Sequence, residues 1–373
     1  MKIVYDLREI LFQKRGWERY GVGLLGELIK FKDLEPSYIV QNETAARKTY
    51  PNLFIKKVNV KELKINPTAR KGLPTDKFIE GHDIFHSLTD YPEFIPAKAK
   101  LITSVHDLSF HILPSCHRKN FVSLMRRNLK DVTKYSSAIV CFTKITRARL
   151  EEFMNNSGTK NDLCVSVIPH GIDKHFKKQP KIEVRKTLKK FNINKPYLLY
   201  VGSLDKDKNI VNLLKAFKAS GSLRGHALVL SGPKGRGSLL PGFADRNIMY
   251  LGNICEKDLR NLYSSARFFI SASLDEGFGF CPLEALKCKT KVLCSDIPCF
   301  KEVLKTNAAY FNPYDINDIA KTIESAINNK LGIFKIDRKS FSELNWRNAA
   351  KLTFALYQKI ARSKSRCNRE QLS

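Results

Sequence analysis

The sequence predicts an α/β protein made of two domains, each a parallel sheet with helices on its faces. Three observations predict it. Short apolar runs of strand type are followed by breaker segments and then by amphipathic stretches, the order of a strand-loop-helix unit. In residues 266–298 this order is complete: Phe268-Phe269-Ile270, then Asp275-Glu276-Gly277-Phe278-Gly279, then helix, then a strand at Lys291 to Ser295. A length of 373 residues accommodates two domains of ordinary size.

In chain order, Lys2 to Leu7 is a first strand and Gly21 to Lys30 an amphipathic helix, joined by a loop carrying Gly16, Arg19 and Tyr20. Tyr38-Ile39-Val40 has strand character, and Asn59 to Lys77 reads as a basic, turn-rich surface connection. Asp83 to Ser87 and Leu101 to Val105 are strands, the second ending in His106-Asp107. Lys119 to Tyr135 is a helix with one apolar face at Val122, Met125, Leu129 and Val132. Ala138 to Phe142 is a strand, Thr143 starts a helix to about Met154, and Val165 to Ile168 closes the domain. The boundary falls near residue 175, giving a first domain at 1–175 and a second at 176–345.

The second domain opens with a helix over Ile182 to Phe191 and a strand at Tyr197 to Val201. That strand delivers Gly202, Ser203 and Leu204 to Asn209, with Asn209 as N-cap of a helix from Ile210 to Phe217. Ala227 to Ser231 and Ile248 to Gly252 are strands, with a glycine-rich Gly232 to Gly237 between them. Glu256 to Ser264 is a helix. After the 266–298 unit come a helix over Ile316 to Asn328 and a last helix over Phe341 to Ala361.

Composition narrows the function. Lys and Arg number 65 against 36 Asp and Glu, a net charge of +29. Such an excess favours an anionic partner: nucleic acid, an acidic bilayer face or phosphorylated substrates. No zinc-finger spacing, RNA-recognition aromatics or basic zipper is present. The glycine-rich loop lacks the order of a phosphate-binding Walker motif. No apolar run reaches transmembrane length, and the chain starts on a strand with no signal peptide visible. The nine cysteines contain no C-x-x-C pair and read as reduced thiols of a cytoplasmic protein.

The chemistry concentrates at strand ends, where open parallel sheets bind ligands. Glu276 and Glu284 lie eight residues apart, one in a loop and one on the helix that follows. Gly277 and Gly279 let the backbone approach a ligand and offer its N–H groups, and the helix start adds partial positive charge. Carboxylates beside such donors suit sugar hydroxyls next to a phosphate. Lys208, just before a helix, can reach a phosphate. Asp205-Lys206-Asp207 also forms a short D-x-D, a weak cation-binding pattern.

The run Glu276-Gly277-Phe278-Gly279 with Glu284-Ala285 resembles the E-x7-E signature of the retaining glycosyltransferases of family 4. Further matches follow in the family's order: His106, Pro169-His170-Gly171-Ile172-Asp173, Lys208-Asn209, Leu262-Tyr263 with Ala266, Asp296-Ile297-Pro298 with Glu302-Val303, and Ala308 to Pro313. Three positions depart from it: Glu18 replaces a glycine, Asp207 an arginine and His170 an asparagine.

The resemblance implies a GT-B fold, two Rossmann-like domains facing across a cleft, with the terminal helix at 346–361 returning to the first domain. It implies a nucleotide-sugar donor, with Lys208, Gly277, Phe278, Gly279, Ser203 and Gly202 around the diphosphate and Glu284 on the ribose. Glu276 and His106 would contact the transferred sugar, and Gly16, Arg19, Tyr20 and Asp107 would serve the acceptor or brace its loop. Transfer would retain configuration without a metal or other cofactor. GDP-mannose is the favoured donor and a lipid-linked surface oligosaccharide the favoured acceptor, at the inner face of the cytoplasmic membrane. The rivals are a UDP-sugar epimerase of similar fold and a basic nucleic-acid-binding protein without catalysis.

Overall fold

A computed structural model describes residues 1–11, 16–55, 58–63, 76–79, 81–92, 95–96, 98–158, 163–221, 225–235, 245–331, 337 and 339–363. The chain divides into two compact units. The first comprises Met1–Leu108, Asn120–Gly171 and Leu344–Ser373; the second comprises Ser109–Lys119 and Ile172–Glu343.

The first unit holds a seven-stranded sheet: β1 (Lys2–Asp6), β2 (Glu35–Val40), β3 (Asn59–Glu62), β4 (Ile84–Ser87), β5 (Lys100–Val105), β6 (Ala138–Cys141) and β7 (Cys164–Val167). The second holds six strands: β8 (Tyr197–Val201), β9 (Ala227–Ser231), β10 (Ile248–Tyr250), β11 (Phe268–Ser271), β12 (Lys291–Ser295) and β13 (Ala308–Phe311). The helices, in chain order, are α1 (Gly16–Leu28), α2 (Glu43–Thr49), α3 (Asp76–Ile79), α4 (Ser109–Ile112), α5 (Lys119–Tyr135), α6 (Lys144–Asn156), α7 (Lys181–Lys190), α8 (Ile210–Ala219), α9 (Glu256–Ser265), α10 (Phe280–Lys287), α11 (Pro298–Leu304), α12 (Ile316–Ile327) and α13 (Trp346–Arg362).

The strand orders are β3-β2-β1-β4-β5-β6-β7 and β10-β9-β8-β11-β12-β13, and every pairing is parallel. The expected pair of Rossmann-like α/β units is what the chain forms. Parallel strands need crossover helices, so both faces are covered and the central strands are apolar throughout. Tyr197-Leu198-Leu199-Tyr200 is buried in this way. The order places one topological switch point in each unit, between β1 and β4 and between β8 and β11. The order in which strands are added reverses there, and the loops at the carboxyl ends diverge to leave room for a ligand.

Three local expectations change. The first helix starts at Gly16, so Gly16, Arg19 and Tyr20 lie on α1 and not on a loop; Gln13 to Arg15 fall outside the described residues. Asn59–Glu62 is an edge strand paired with β2, where a surface connection was expected. The rest of that connection, 64–75, is outside the described residues, as are residues 236 and 237 of the glycine-rich loop. The last helix is preceded by a separate 3-10 turn at Lys339–Phe341 and begins at Trp346, with Asn345 capping it through Asn348 N.

The start of α13 explains two glycines. A Cβ on Gly23 would collide with the Trp346 indole, and one on Gly171 with the Trp346 main-chain nitrogen. The Pro169-His170-Gly171 turn therefore carries glycine because α13 rests on it. Trp346 is 8% exposed, and α13 packs along α1 within the first unit.

Candidate active site

The second unit builds its site at the β8–β11 switch point. β8 delivers Gly202 at φ +157°, where a side chain would strike the Tyr200 hydroxyl. Tyr200 Oη donates to Ser203 O at 2.6 Å, tying the loop to the strand it leaves. A 3-10 turn, Lys206–Lys208, follows and ends on Asn209 in the left-handed region, φ +57°. Asn209 occupies the N-cap position of α8 but makes no cap hydrogen bond there. Its Nδ2 donates instead to Pro313 O at 2.7 Å.

Lys208 Nζ donates to Glu276 Oε1 at 2.9 Å and lies 3.0 Å from Asp207 Oδ2. Ser273 Oγ donates to the same Glu276 oxygen at 2.8 Å. Leu274 N donates to Asp207 O at 2.8 Å, so the loops leaving β8 and β11 are joined by main chain as well. Burial alone would depress the Lys208 ammonium. The Glu276 and Asp207 carboxylates outweigh it, and the lysine is held well above its ordinary value, firmly protonated. Asp207, at the position of the family's arginine, does not face outward: it is buried and belongs to this ion cluster. Of Asp205-Lys206-Asp207, the second aspartate is thus paired with Lys208. Among the described residues, no group of three or more His, Cys, Asp or Glu could hold a metal ion.

The signature loop leads directly into α10. Gly279 sits at φ +92° as its N-cap residue, and an added Cβ would lie 2.9 Å from Phe300 Cε1. Both conformation and space demand glycine there. Phe278 is buried, with its ring 5.4 Å from Phe280. The helix starts at Phe280 and holds Pro282 in its first turn, where proline costs no hydrogen bond. Glu284 is 1% exposed, and its Oε2 accepts from Tyr263 Oη at 2.9 Å. Tyr263, from α9, is itself wholly buried. The L-Y-x-x-A pattern therefore supplies the residue that holds the second signature carboxylate.

In the first unit, β5 is followed directly by His106, which is 9% exposed. Its main-chain N–H donates to the Asp90 carboxylate. Its Nε2 lies 2.8 Å from Leu88 O; a carbonyl can only accept, so Nε2 carries the proton. Burial holds the ring down to about 4, so the imidazole is neutral near pH 7 and Nδ1 presents a lone pair. The residue is better suited to accept a hydrogen bond from a hydroxyl than to donate one.

Aromatic rings surround it. Tyr20 stands edge-on at 5.2 Å, Phe142 lies at 4.7 Å, His170 at 5.7 Å and Trp17 at 5.8 Å between centroids. Tyr20 is buried with its hydroxyl on Ser104, so it is part of the wall behind His106. Glu18 accepts from Tyr50 Oη at 2.9 Å, and its charge is used within the fold. Gly16 is exposed at the start of α1, and Arg19 is half-buried on the same helix. Asp107 adjoins Asp90, whose carboxyl is pushed well up by burial and then by the Asp107 charge.

Sequence reasoning missed five residues here. Asp90 fixes the His106 main chain. At the β1–β4 switch point, Arg8 and Asp6 form a two-bonded ion pair, at 2.9 and 2.6 Å, with the Arg8 side chain fully buried. Tyr91 Oη donates to Glu9 Oε2 beside it at 2.8 Å. The signal for Arg8 was available: a charge directly after an apolar strand, two residues from an aspartate.

Residues 183–345 match the family model described as glycosyl transferases group 1. The matched stretch lies almost wholly in the second unit, and the chain has the GT-B fold. Over 354 residues it is 25% identical to O-antigen chain mannosyltransferase B of Escherichia coli, covering 87% of this chain and 90% of that one. A shorter stretch of 82 residues is 43% identical to O-antigen chain mannosyltransferase RfbU of Salmonella typhimurium, covering 22% of each. HepE of Anabaena, solved in complex with UDP, superposes with a TM-score of 0.72 at 14% identity, covering 96% of this chain and all of that one. The model spans both signature carboxylates and Lys208.

Proposed function

We propose that this chain is a glycosyltransferase that moves a hexose, with GDP-mannose as the favoured donor, onto a growing lipid-linked surface oligosaccharide, retaining the anomeric configuration. The observation that carries the reading is the Lys208–Glu276 pair at the β8–β11 switch point, beside the glycine-bounded start of α10 and the Tyr263-held Glu284. Mannose is favoured because the E. coli and Salmonella relatives are named for mannosyl transfer.

In this reading Lys208 turns from Glu276 toward the donor diphosphate, joined by main-chain amides of Gly277, Phe278 and Gly279 and of Gly202 and Ser203. Glu284 accepts from ribose hydroxyls. Glu276, relieved of its lysine, accepts from hydroxyls of the transferred sugar, and His106 Nδ1 accepts from another. The bond between the anomeric carbon and the phosphate oxygen breaks, and the nucleoside diphosphate leaves with the electron pair. The acceptor oxygen bonds the same carbon on the same face, and its proton passes to a leaving phosphate oxygen. Charge grows on the diphosphate as the bond breaks. A preplaced ammonium and amides stabilise it more in the transition state than before, with no metal required.

Arg19 and Asp107 are assigned to the acceptor side, with Gly16 at the entrance of α1. The outer face of α5 exposes Phe121 and Leu124 among Arg126, Arg127, Lys130 and Lys134. That combination suits an anionic bilayer, where apolar side chains enter the interface and cations meet headgroups. No helix among the described residues is long and apolar enough to cross a membrane.

A panel of nucleotide sugars tests the reading. It is to be read first by donor-dependent thermal stabilisation and then by nucleoside diphosphate release. GDP-mannose should give the largest response. Stabilisation by a different nucleotide sugar would replace the donor, and no response to any would remove the transferase site assignment.

A further inference from the structure

The first unit contains a buried polar chain that none of the roles above uses. Tyr20 Oη lies 2.8 Å from Ser104 Oγ, Ser104 Oγ 3.0 Å from His86 Nε2, and His86 Nδ1 2.6 Å from Tyr357 Oη. Tyr20 is 3% exposed and the other three are fully buried. The four residues come from α1, β5, β4 and α13. At one end is the Tyr20 ring, edge-on to His106 and 4.8 Å from Phe142. At the other is the C-terminal helix, whose first residue, Trp346, also faces His170 at 6.1 Å.

A helix that merely covers a sheet needs no hydroxyl aimed at a buried imidazole. Phenylalanine at 357 and an aliphatic residue at 86 would fill the same space without desolvating polar atoms. The chain also has internal logic. Burial holds His86 down to about 3, so it is neutral, donating through one nitrogen and accepting through the other. Either tautomer sets the direction of both neighbouring hydroxyl bonds, and the chain responds as a unit.

We propose that His86 and Tyr357 are positioning residues for His106. Helix α13, acting through Tyr357, His86 and Ser104, fixes the Tyr20 ring, and that ring sets the orientation of the His106 imidazole. The proposal rests on the reading of His106 as a contact of the transferred sugar.

The test uses the full-length protein. Tyr357→Phe keeps the ring and removes the oxygen. It should lower kcat about tenfold, the scale of a misplaced reacting group, with the donor KM little changed because the donor residues lie in the other unit. Ser104→Ala should do the same, and the double variant should fall no further, since both cut one chain. Ile139→Val, in the core of the same sheet, should leave kcat unchanged.

A second readout needs no substrate. In protein labelled with 15N-histidine, the His106 ring signals should move in Tyr357→Phe. His106 signals that superimpose on the wild type, or multiplying losses in the double variant, would overturn the proposal. If the wild type turned over no nucleotide sugar, the transferase reading would fail on its own and the ring signals would still decide the chain.

Discussion

Acid should destabilise the first unit. His86, His106 and His170 are all buried there, and burial lowers all three, His86 to about 3 and His106 to about 4. In the unfolded chain each takes a proton near the ordinary histidine value of about 6.5. The folded state therefore binds fewer protons between these limits. Its preference is complete above the ordinary value and is lost as pH falls toward the folded one. At pH 4.5, His106 and His86 each account for about 2.5 kcal/mol lost relative to neutral pH, or about 5 kcal/mol together, with His170 in the same direction. Asp90 opposes them, because its raised carboxyl favours proton uptake by the folded state. Against a total of about 5–15 kcal/mol for a typical domain, the loss is large. Both tryptophans of the chain, Trp17 and Trp346, lie in the first unit, so indole fluorescence reports that unit alone. Urea titrations followed at 350 nm, about the emission of exposed indole, should give a stability that rises with pH between 4.5 and 6.5. In His106→Gln and His86→Gln that slope should be shallower by roughly one proton each. A flat profile in the wild type, or the same slope in both variants, would refute the reasoning.

Three further outcomes follow from the geometry. Lys208→Met removes a charged donor worth about 1.5–3 kcal/mol, so nucleoside diphosphate affinity should fall about tenfold to a hundredfold by calorimetry; unchanged affinity would take Lys208 out of the site. Gly279→Ala forces a side chain to φ +92° against Phe300, and thermal denaturation should show a loss of about 1–3 kcal/mol. An unchanged melting temperature would mean that neither the backbone conformation nor Phe300 requires glycine at 279. Gly171→Ala should displace Trp346 and red-shift its emission, while Gly225→Ala, in open space, should not.

Much of this was legible because parallel sheets write themselves plainly. Phe268-Phe269-Ile270 and Leu198-Leu199-Tyr200 are apolar runs too short for helices and bounded by breakers, and both are strands. Glycines at 277 and 279 marked the loop, and the left-handed geometry at Gly279 is the physical reason for one of them. What was not legible depended on partners distant in sequence. The run from Gly16 to Tyr20 looks like a loop because glycine and charges interrupt it. It folds as helix because Tyr20 and Leu24 find a core to enter. Asp207 read as a lost positive charge, but its carboxylate is balanced by Lys208, which it shares with Glu276 from 68 residues away. Glu284 stood out as the second carboxylate of the signature, but the side chain that holds it, Tyr263, lies 21 residues away on another helix. Asp90 carried no local signal at all, since its importance lies in one main-chain N–H of a neighbouring strand.

In this reading a nucleoside diphosphate binds where the loops leaving β8 and β11 meet. The most direct measurement is the structure of crystals soaked with GDP or UDP. Density for the diphosphate is expected within hydrogen-bonding distance of Lys208 Nζ, with the ribose beside Glu284. Density elsewhere, or a diphosphate that leaves the Lys208–Glu276 contact untouched, would contradict it.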